Sequence, residues 1–321
     1  MSPKRLYLGV DGGGTKTEFI AIDDNRAVVA RTTTGTTYHP QVGLDGAVER
    51  LGHGVAAICE ALSIAPGGID HAFFGLPGFG EHRLVDPRLD AACGAILGHD
   101  RYDCGNDMVC GWAGSLAGED GINLVAGTGS IGYGERRGLS ARVGGWSEVF
   151  GDEGSAYWIA IQGLNTFTRM SDGRLPEGPL LSAFRRALGL SFDLDVCAMI
   201  MGERGMGRDR IAELAQIVSE AAEEADAAAL RILEQAGFEL AKMAATLHRI
   251  LGYERDEAAL LSWSGGVLTS QHTVREHFVR HLDGMGRFQL IEPRHAPGFG
   301  AALQAQRLAA AQCDVMGVAK S

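Results

Sequence analysis

The stretch Asp11-Gly12-Gly13-Gly14-Thr15-Lys16-Thr17 decides how this chain of 321 residues is interpreted. It follows the short apolar run 6–10, which is typical of a buried strand, and it leads into the alternating run 17–23, which is typical of a second strand. Three consecutive glycines let backbone N–H groups face a ligand without interference from Cβ atoms. No helix is expected after Lys16, so the motif differs from a Walker phosphate loop. We predict a hairpin with a phosphate-binding turn; an ordinary glycine turn is the alternative that these residues leave open.

A second glycine motif, Gly127-Thr128-Gly129-Ser130, follows the apolar run 122–126. Together with Gly132 it matches the G-x-G-x-x-G pattern of dinucleotide sites, which requires a helix directly after the motif. Residues 133–138 are instead polar and interrupted by glycine. We therefore predict a second phosphate-binding hairpin, with the hydroxyls of Thr128 and Ser130 assisting, and we disfavour a dinucleotide site.

Asp107 precedes a segment, 108–116, that we predict to be helical. An aspartate at that position is a good helix N-cap. If the glycine turns hold a nucleotide, the same carboxylate is placed to accept the proton of an attacking hydroxyl. Both interpretations stay open from these residues alone.

Two later segments contain further candidates for binding. Residues 144–155, GGWSEVFGDEGS, combine glycines, Trp146 and the acidic Asp152, as sugar sites do. The acidic residues would equally complement the N-terminus of a following helix. Gly265 and Gly266 follow the apolar run 259–263, where they permit a flat ligand such as a purine against the backbone, or simply begin a helix.

Apolar spacing in the second half of the chain predicts long helices. The spacing over residues 211–232 predicts one continuous helix, and Gly237 and Gly252 are expected to bound another. His277 and His281 lie four residues apart but form no H-E-x-x-H motif, so we expect a solvated helix face there.

The composition excludes several classes of function. Lysine and arginine total 29 against 40 acidic residues, a net charge of −11 without a basic stripe, which argues against nucleic acid and anionic membranes as partners. The six cysteines form no C-x-x-C pair and are expected to be reduced thiols. No signal peptide or membrane-spanning run is evident, so we predict a cytoplasmic protein.

Taken together, the motifs resemble the sugar-kinase/Hsp70/actin superfamily and, more closely, the BadF/BadG/BcrA/BcrD-type ATPase family, which includes N-acetylglucosamine kinases. The resemblance extends from Gly9 to about Ala310 and is most specific at 11–17, 126–130 and 144–158. It implies an α/β fold of two ribonuclease H-like (actin-like ATPase) domains with a nucleotide and sugar cleft between them. Residues 1–115 would form the first domain, with helix 297–311 packing back on it, and residues 116–296 the second.

The resemblance also implies a reaction, phosphorylation of an amino sugar at its 6-hydroxyl by ATP with Mg²⁺. Asp107 would bind the sugar and act as general base, and Asp11 would hold Mg²⁺ through water. Gly145, Trp146 and Asp152 would contact the sugar. The residues implied in nucleotide binding are Asp11, Gly12, Gly13, Gly14, Thr15, Lys16, Thr17, Gly127, Thr128, Gly129, Ser130, Gly265 and Gly266.

One departure from the family concerns the sugar. Where these kinases usually have an asparagine, this chain has Tyr38 within Thr36-Thr37-Tyr38-His39-Pro40. N-acetylglucosamine is the expected acceptor, with glucosamine and N-acetylmuramic acid as alternatives. An iron–sulfur activator-type ATPase is a further alternative, disfavoured because no cysteine adjoins the second glycine motif. The resemblance implies a homodimer.

Overall fold

The computed structural model describes residues 5–318, with side chains described as far as residue 312. The chain forms two compact units. Unit 1 comprises Met1–Glu119 and Glu292–Ser321, and unit 2 comprises Asp120–Ile291. The backbone therefore passes from one unit to the other after residue 119 and again after residue 291.

Unit 1 contains a five-stranded sheet in the order β3-β2-β1-β4-β5. β1 to β3 form an antiparallel meander, whereas β4 and β5 run parallel to β1. The first glycine motif is the turn between β1 and β2, as the sequence predicts. The strands are Leu6–Gly12 (β1), Lys16–Asp23 (β2), Val28–Gly35 (β3), His71–Leu76 (β4) and Tyr102–Asn106 (β5).

Three helices of unit 1 follow its strands in the chain. α1 is kinked at Gly43, where φ is 73°. Apolar residues of α1 pack on the sheet around Phe19, whose ring fills the space that a side chain at Gly54 would need. The helices are His39–Leu62 (α1), Asp86–Leu97 (α2) and Met108–Leu116 (α3), with a 3-10 turn at Pro66–Gly68.

Unit 2 repeats this strand connectivity in a second five-stranded sheet, ordered β10-β9-β6-β7-β8. β6 to β8 form an antiparallel meander, and β9 and β10 run parallel to β6. The repeat confirms the predicted α/β fold of two actin-like domains. The strands are Gly121–Ala126 (β6), Ser130–Arg136 (β7), Leu139–Gly144 (β8), Ala258–Ser264 (β9) and Arg287–Leu290 (β10).

Unit 2 also contains most of the helices. They pack around a core that includes Phe167, Phe184 and Phe278. The helices are Ala156–Ser171 (α4), Pro179–Leu188 (α5), Asp195–Met201 (α6), Arg208–Glu213 (α7), Ala215–Glu223 (α8), Ala227–Ile250 (α9), Gly266–Ser270 (α10) and His272–Leu282 (α11).

The prediction of one continuous helix over 211–232 is wrong. Three helices share this apolar face: α7 ends and α8 begins on either side of Leu214, and α8 is separated from α9 where Ala225 adopts a positive φ of 61° and Asp226 caps α9. The Asp226 side chain accepts hydrogen bonds from the N–H groups of Ala228 and Ala229. Gly237 likewise does not bound a helix; it lies inside α9, where a Cβ would lie 2.7 Å from the backbone nitrogen of Phe278 in α11.

The last helix, α12 (Pro297–Val318), returns to unit 1 and packs on β1, β4 and α3. Gly9 makes this approach possible, since a side chain there would overlap the backbone at Ala301 and Ala302. No helix within residues 5–318 is at once long and apolar enough to span a bilayer. The five cysteines with described side chains form no disulfide; Cys313 lies in the part of α12 whose side chains are not described.

Candidate active site

Two aspartates lie at the carboxyl ends of the parallel strands in unit 1. Asp11 on β1 pairs in register with Gly75 on β4, which pairs with Gly105 on β5, and Asp107 follows the end of β5. Ligands of open α/β sheets bind at this end of the strands. Because the intervening strand has a glycine at this level, no side chain of β4 separates Asp11 from Asp107.

The acidic side chains at this end of the sheet repel one another unless a cation lies between them. Burial, together with the negative charges of Asp107 and Glu18, raises the pKa of Asp11 to about 7, although the Cys110 thiol and Lys16 oppose the shift. Burial and the charges of Asp11 and Asp107 also hold the pKa of Cys110 well above its usual value. Carboxylate oxygens are the ligands that Mg²⁺ prefers, so this donor set fits a magnesium ion that would relieve the repulsion.

Helix capping does not account for the Asp107 carboxylate. Asp107 occupies the N-cap position of α3, but its side chain makes no capping hydrogen bond. Asn106 takes that role: its Oδ1 accepts from the N–H of Met108 at 3.1 Å, and its Nδ2 donates to the carbonyl of Phe79. The capping alternative raised by the sequence therefore does not explain this side chain.

The turn at residues 11–17, here called the first glycine turn, presents backbone N–H groups. The N–H of Gly13 closes the turn on the carbonyl of Lys16, and the Gly13 carbonyl accepts a hydrogen bond from Thr36 Oγ1 at 2.6 Å. In a trans peptide the N–H points opposite to the carbonyl, so the N–H of exposed Gly14 points away from Thr36. A Cβ on Gly12 would lie 2.6 Å from Pro77, whereas one on Gly14 would meet nothing within 4 Å.

Residues 36–38 lie behind this turn, with Tyr38 at the position where the resemblance implies an asparagine. Thr17 is buried, and its hydroxyl is hydrogen-bonded to that of Thr37 at 3.0 Å. The N–H of Tyr38 donates to Thr36 Oγ1, and the Tyr38 ring lies against Gly78. Thr36 and Thr37 belong to no motif recognised in the sequence, yet both hold the first glycine turn in place.

Residues 127–130, here called the second glycine turn, lie at the N-terminus of α4. The carbonyls of Gly127 and Thr128 accept hydrogen bonds from the N–H groups of Ala156 and Tyr157 at 2.9 and 3.2 Å. By the same peptide geometry, the N–H groups of Thr128 and Gly129 point away from α4. Two neighbouring N–H groups that face one side form an anion site. The buried Ser130 hydroxyl instead donates to the Glu153 carbonyl.

A pocket of about 700 Å³ opens beside the second glycine turn, a volume typical of small-molecule sites. Two polar side chains that line the pocket are hydrogen-bonded to each other: Ser219 Oγ donates to the Gln271 side chain at 2.7 Å. Gly265, with φ of 90°, lies against the backbone of Ala126 and Gly127, where no side chain fits. The lining residues are Gly127, Thr128, Ala156, Ile159, Asp209, Ala212, Glu213, Ala215, Gln216, Ser219, Gly266, Val267, Ser270 and Gln271.

The three residues implied in sugar binding have different surroundings. Asp152 is only 2% exposed, accepts a hydrogen bond from the Ser130 N–H and lies 2.7 Å from the Arg208 guanidinium. Burial raises the pKa of Asp152 even though Arg208 opposes the shift. The N–H of Gly145 donates to the Ser130 carbonyl at 3.0 Å, so Gly145 also adjoins the second glycine turn. Trp146, in contrast, is 70% exposed.

Arg208 is the main site residue that the sequence analysis missed. It begins α7, 56 residues after Asp152, and pairs with both Asp152 and Glu148. No motif surrounds it, so no signal in the sequence could have linked it to the segment 144–155. The same holds for the pocket residues of α7 and α8.

Comparisons with known proteins identify the family of the chain. The BadF/BadG/BcrA/BcrD ATPase family matches residues 8–305. The N-acetyl-D-glucosamine kinase of Dictyostelium discoideum is 24% identical over 94% of this chain and 98% of the relative. The N-acetylmuramic acid/N-acetylglucosamine kinase of Clostridium acetobutylicum is 29% identical over 97% of this chain and its own full length. A Chromobacterium violaceum structure, provisionally assigned as an N-acetylglucosamine kinase, aligns with a TM-score of 0.70 and 22% identity, covering 94% of this chain and 99% of that one.

Proposed function

Because the chain belongs to the BadF/BadG/BcrA/BcrD ATPase family, we propose that it transfers the γ-phosphoryl group of ATP to the 6-hydroxyl of an amino sugar, with N-acetylglucosamine as the preferred acceptor. The observation that carries this proposal is the pair of carboxylates at the end of the first sheet. Asp107 lies within electrostatic reach of Asp11 and does not cap its own helix. The names of the two curated relatives support the choice of sugar.

In the proposed reaction Asp107 accepts the proton of the sugar 6-hydroxyl as the hydroxyl oxygen attacks the γ-phosphorus. The bond between that phosphorus and the β–γ bridging oxygen breaks, and ADP leaves with the electron pair. N–H groups of the second glycine turn bind phosphate oxygens, and the pocket beside that turn takes the adenosine. The first glycine turn also offers N–H groups to phosphate. Asp11 would hold Mg²⁺, which supplies positive charge to the phosphates when bound.

The acceptor has two further candidates, glucosamine and N-acetylmuramic acid. The second is favoured by the Clostridium acetobutylicum relative, whose name includes that sugar. Tyr38 offers a phenol where an asparagine would offer an amide, so contacts to the acetamido group would differ. The proposal includes a homodimer, which sedimentation of the purified chain would check.

The test is ADP release from Mg-ATP with N-acetylglucosamine, glucosamine, N-acetylmuramic acid and glucose. We expect turnover to depend on sugar and to be fastest with N-acetylglucosamine, with phosphorus NMR placing the phosphate on O6. N-acetylglucosamine that lacks the 6-hydroxyl is the matched control, since it should compete for binding without being phosphorylated. Slow hydrolysis at one rate with every sugar would contradict the proposal and favour an activator-type ATPase.

A further inference from the structure

Glu234, His277 and His281 form a cluster in unit 2 that the proposed reaction does not use. Each offers one ligand atom, and these atoms all lie within 4.8 Å of one another. Glu234 is on α9, whereas the two histidines lie one turn apart on α11. The sequence predicted a solvated helix face here, but both histidines are half-buried against α9.

The close approach of the two helices explains the cluster. Gly237, three residues after Glu234 on the same face of α9, leaves room for α11: a Cβ there would lie 2.8 Å from the Cβ of His277. His281 packs edge-on against the ring of Phe238, with ring centroids 5.2 Å apart. The three side chains therefore face one another beside the close contact between α9 and α11 at Gly237.

An unsatisfied nitrogen indicates that the cluster has a ligand. Nε2 of His281 is buried and has no hydrogen-bond partner within the described part of the chain. Leaving a buried polar atom without a partner is costly, so native structures rarely do so. The nearby Arg280 makes only a long contact, 3.5 Å, to Nδ1 of His277, and its exposed side chain can turn into solvent.

We propose that Glu234, His277 and His281 bind one Zn²⁺ ion, which clamps α11 to α9. Two imidazoles and one carboxylate are a common zinc ligand set that leaves a fourth position for water. Ligand atoms at about 2.1 Å from zinc in a tetrahedron lie roughly 3.4 Å apart, so shifts of about 1 Å in these side chains complete the site. Imidazole nitrogens also select zinc over Mg²⁺, which prefers oxygen ligands.

The experiment titrates Zn²⁺ into full-length, chelator-treated protein without a histidine tag, by calorimetry in the presence of Mg²⁺. We expect one tight site per chain and a higher melting temperature with zinc. Glu234→Gln and His281→Gln should each weaken binding by at least about tenfold and abolish the rise in melting temperature. His272→Gln is the matched control, since His272 lies exposed on the same helix, hydrogen-bonded to Arg275.

Co²⁺ provides a second readout that does not depend on stability. The wild-type protein with Co²⁺ should show the visible absorption of a four-coordinate ion, and one equivalent of Zn²⁺ should displace the Co²⁺ and remove this absorption. The two variants should not show the absorption. Equal zinc affinity in wild type and both variants, or no binding to the wild type, would overturn the assignment. Zinc binding is measured without ATP or sugar, so its outcome is independent of the proposed kinase activity.

Discussion

The first and second glycine turns join corresponding strands of two sheets with the same connectivity, yet their surroundings differ in charge. Asp11, Glu18 and Asp107 surround the first turn with negative charge. The second turn is hydrogen-bonded to the N-terminus of α4 and adjoins Arg208, which pairs with Asp152. The repeated backbone therefore has two kinds of surroundings: the acidic side chains beside the first turn suit a cation and a hydroxyl, and the second turn suits an anion and a flat ligand.

The largest expected effect is at Asp107, which has no counterpart at the second turn. Asp107→Asn should lower kcat by roughly 10²–10⁴-fold, because the variant loses the general base. ATP affinity should change little. Steady-state kinetics and nucleotide titration measure the two effects separately, with Asp100→Asn, at an exposed position of the same unit, as the matched control. A nearly normal kcat would mean that the acidic surroundings of the first turn serve another purpose.

The second prediction concerns the pH dependence of stability at the first turn. The folded-state pKa of Asp11, about 7, lies above its unfolded value of about 3.9. Between these values the folded protein holds a proton that the unfolded chain has released, so this group lowers stability as pH rises from about 4 to about 7. In metal-free protein, Asp11→Asn should therefore gain stability relative to wild type over that range. Melting temperatures of both proteins from pH 4 to pH 8 test this prediction. A difference in melting temperature between the two proteins that does not change with pH would contradict it.

The third prediction concerns the ion pair at the second turn. Arg208→Ala should destabilise the protein by about 1–3 kcal/mol, because it leaves the buried Asp152 carboxylate without its cation. This loss of stability is smaller than the loss expected for breaking a fully buried ion pair, because the Arg208 side chain is 43% exposed. Chemical denaturation measures the change, and Asp152→Asn in the Arg208→Ala background should recover part of it. Full additivity of the two substitutions would show that the pair is not coupled.

The last prediction distinguishes two glycines of the first turn by their effects on stability. Gly14→Ala should leave stability unchanged or raise it by about 0.4–1 kcal/mol, because a Cβ has open space there. The same methyl group should raise the KM for ATP if phosphate approaches this backbone. Gly12→Ala is the contrasting variant and should cost about 1–3 kcal/mol through overlap with Pro77 and Thr37. An unchanged KM for ATP in Gly14→Ala would show that phosphate does not bind at the backbone of the first turn.

Much of the local structure could be predicted from the sequence. Alternating and apolar runs predicted the first hairpin, and polar glycine-rich residues after 132 correctly predicted a hairpin in place of a helix after the second glycine motif. The helical spacing over 211–232 failed because it continues across the breaks at Leu214 and Ala225, and the three helices on either side of these breaks share one buried face. Apolar periodicity reports which face is buried, but it does not report where the backbone turns along that face.

By itself the sequence determined the glycine turns, the strands on either side and the family, since these depend on neighbouring residues and their backbone preferences. Only the tertiary structure decided which side chains meet. Strand register places Asp107 near Asp11, and helix packing brings Arg208 to Asp152 and Glu234 to His277 and His281. Such contacts join residues far apart in the chain, and they form only when close packing fixes the positions of whole strands and helices.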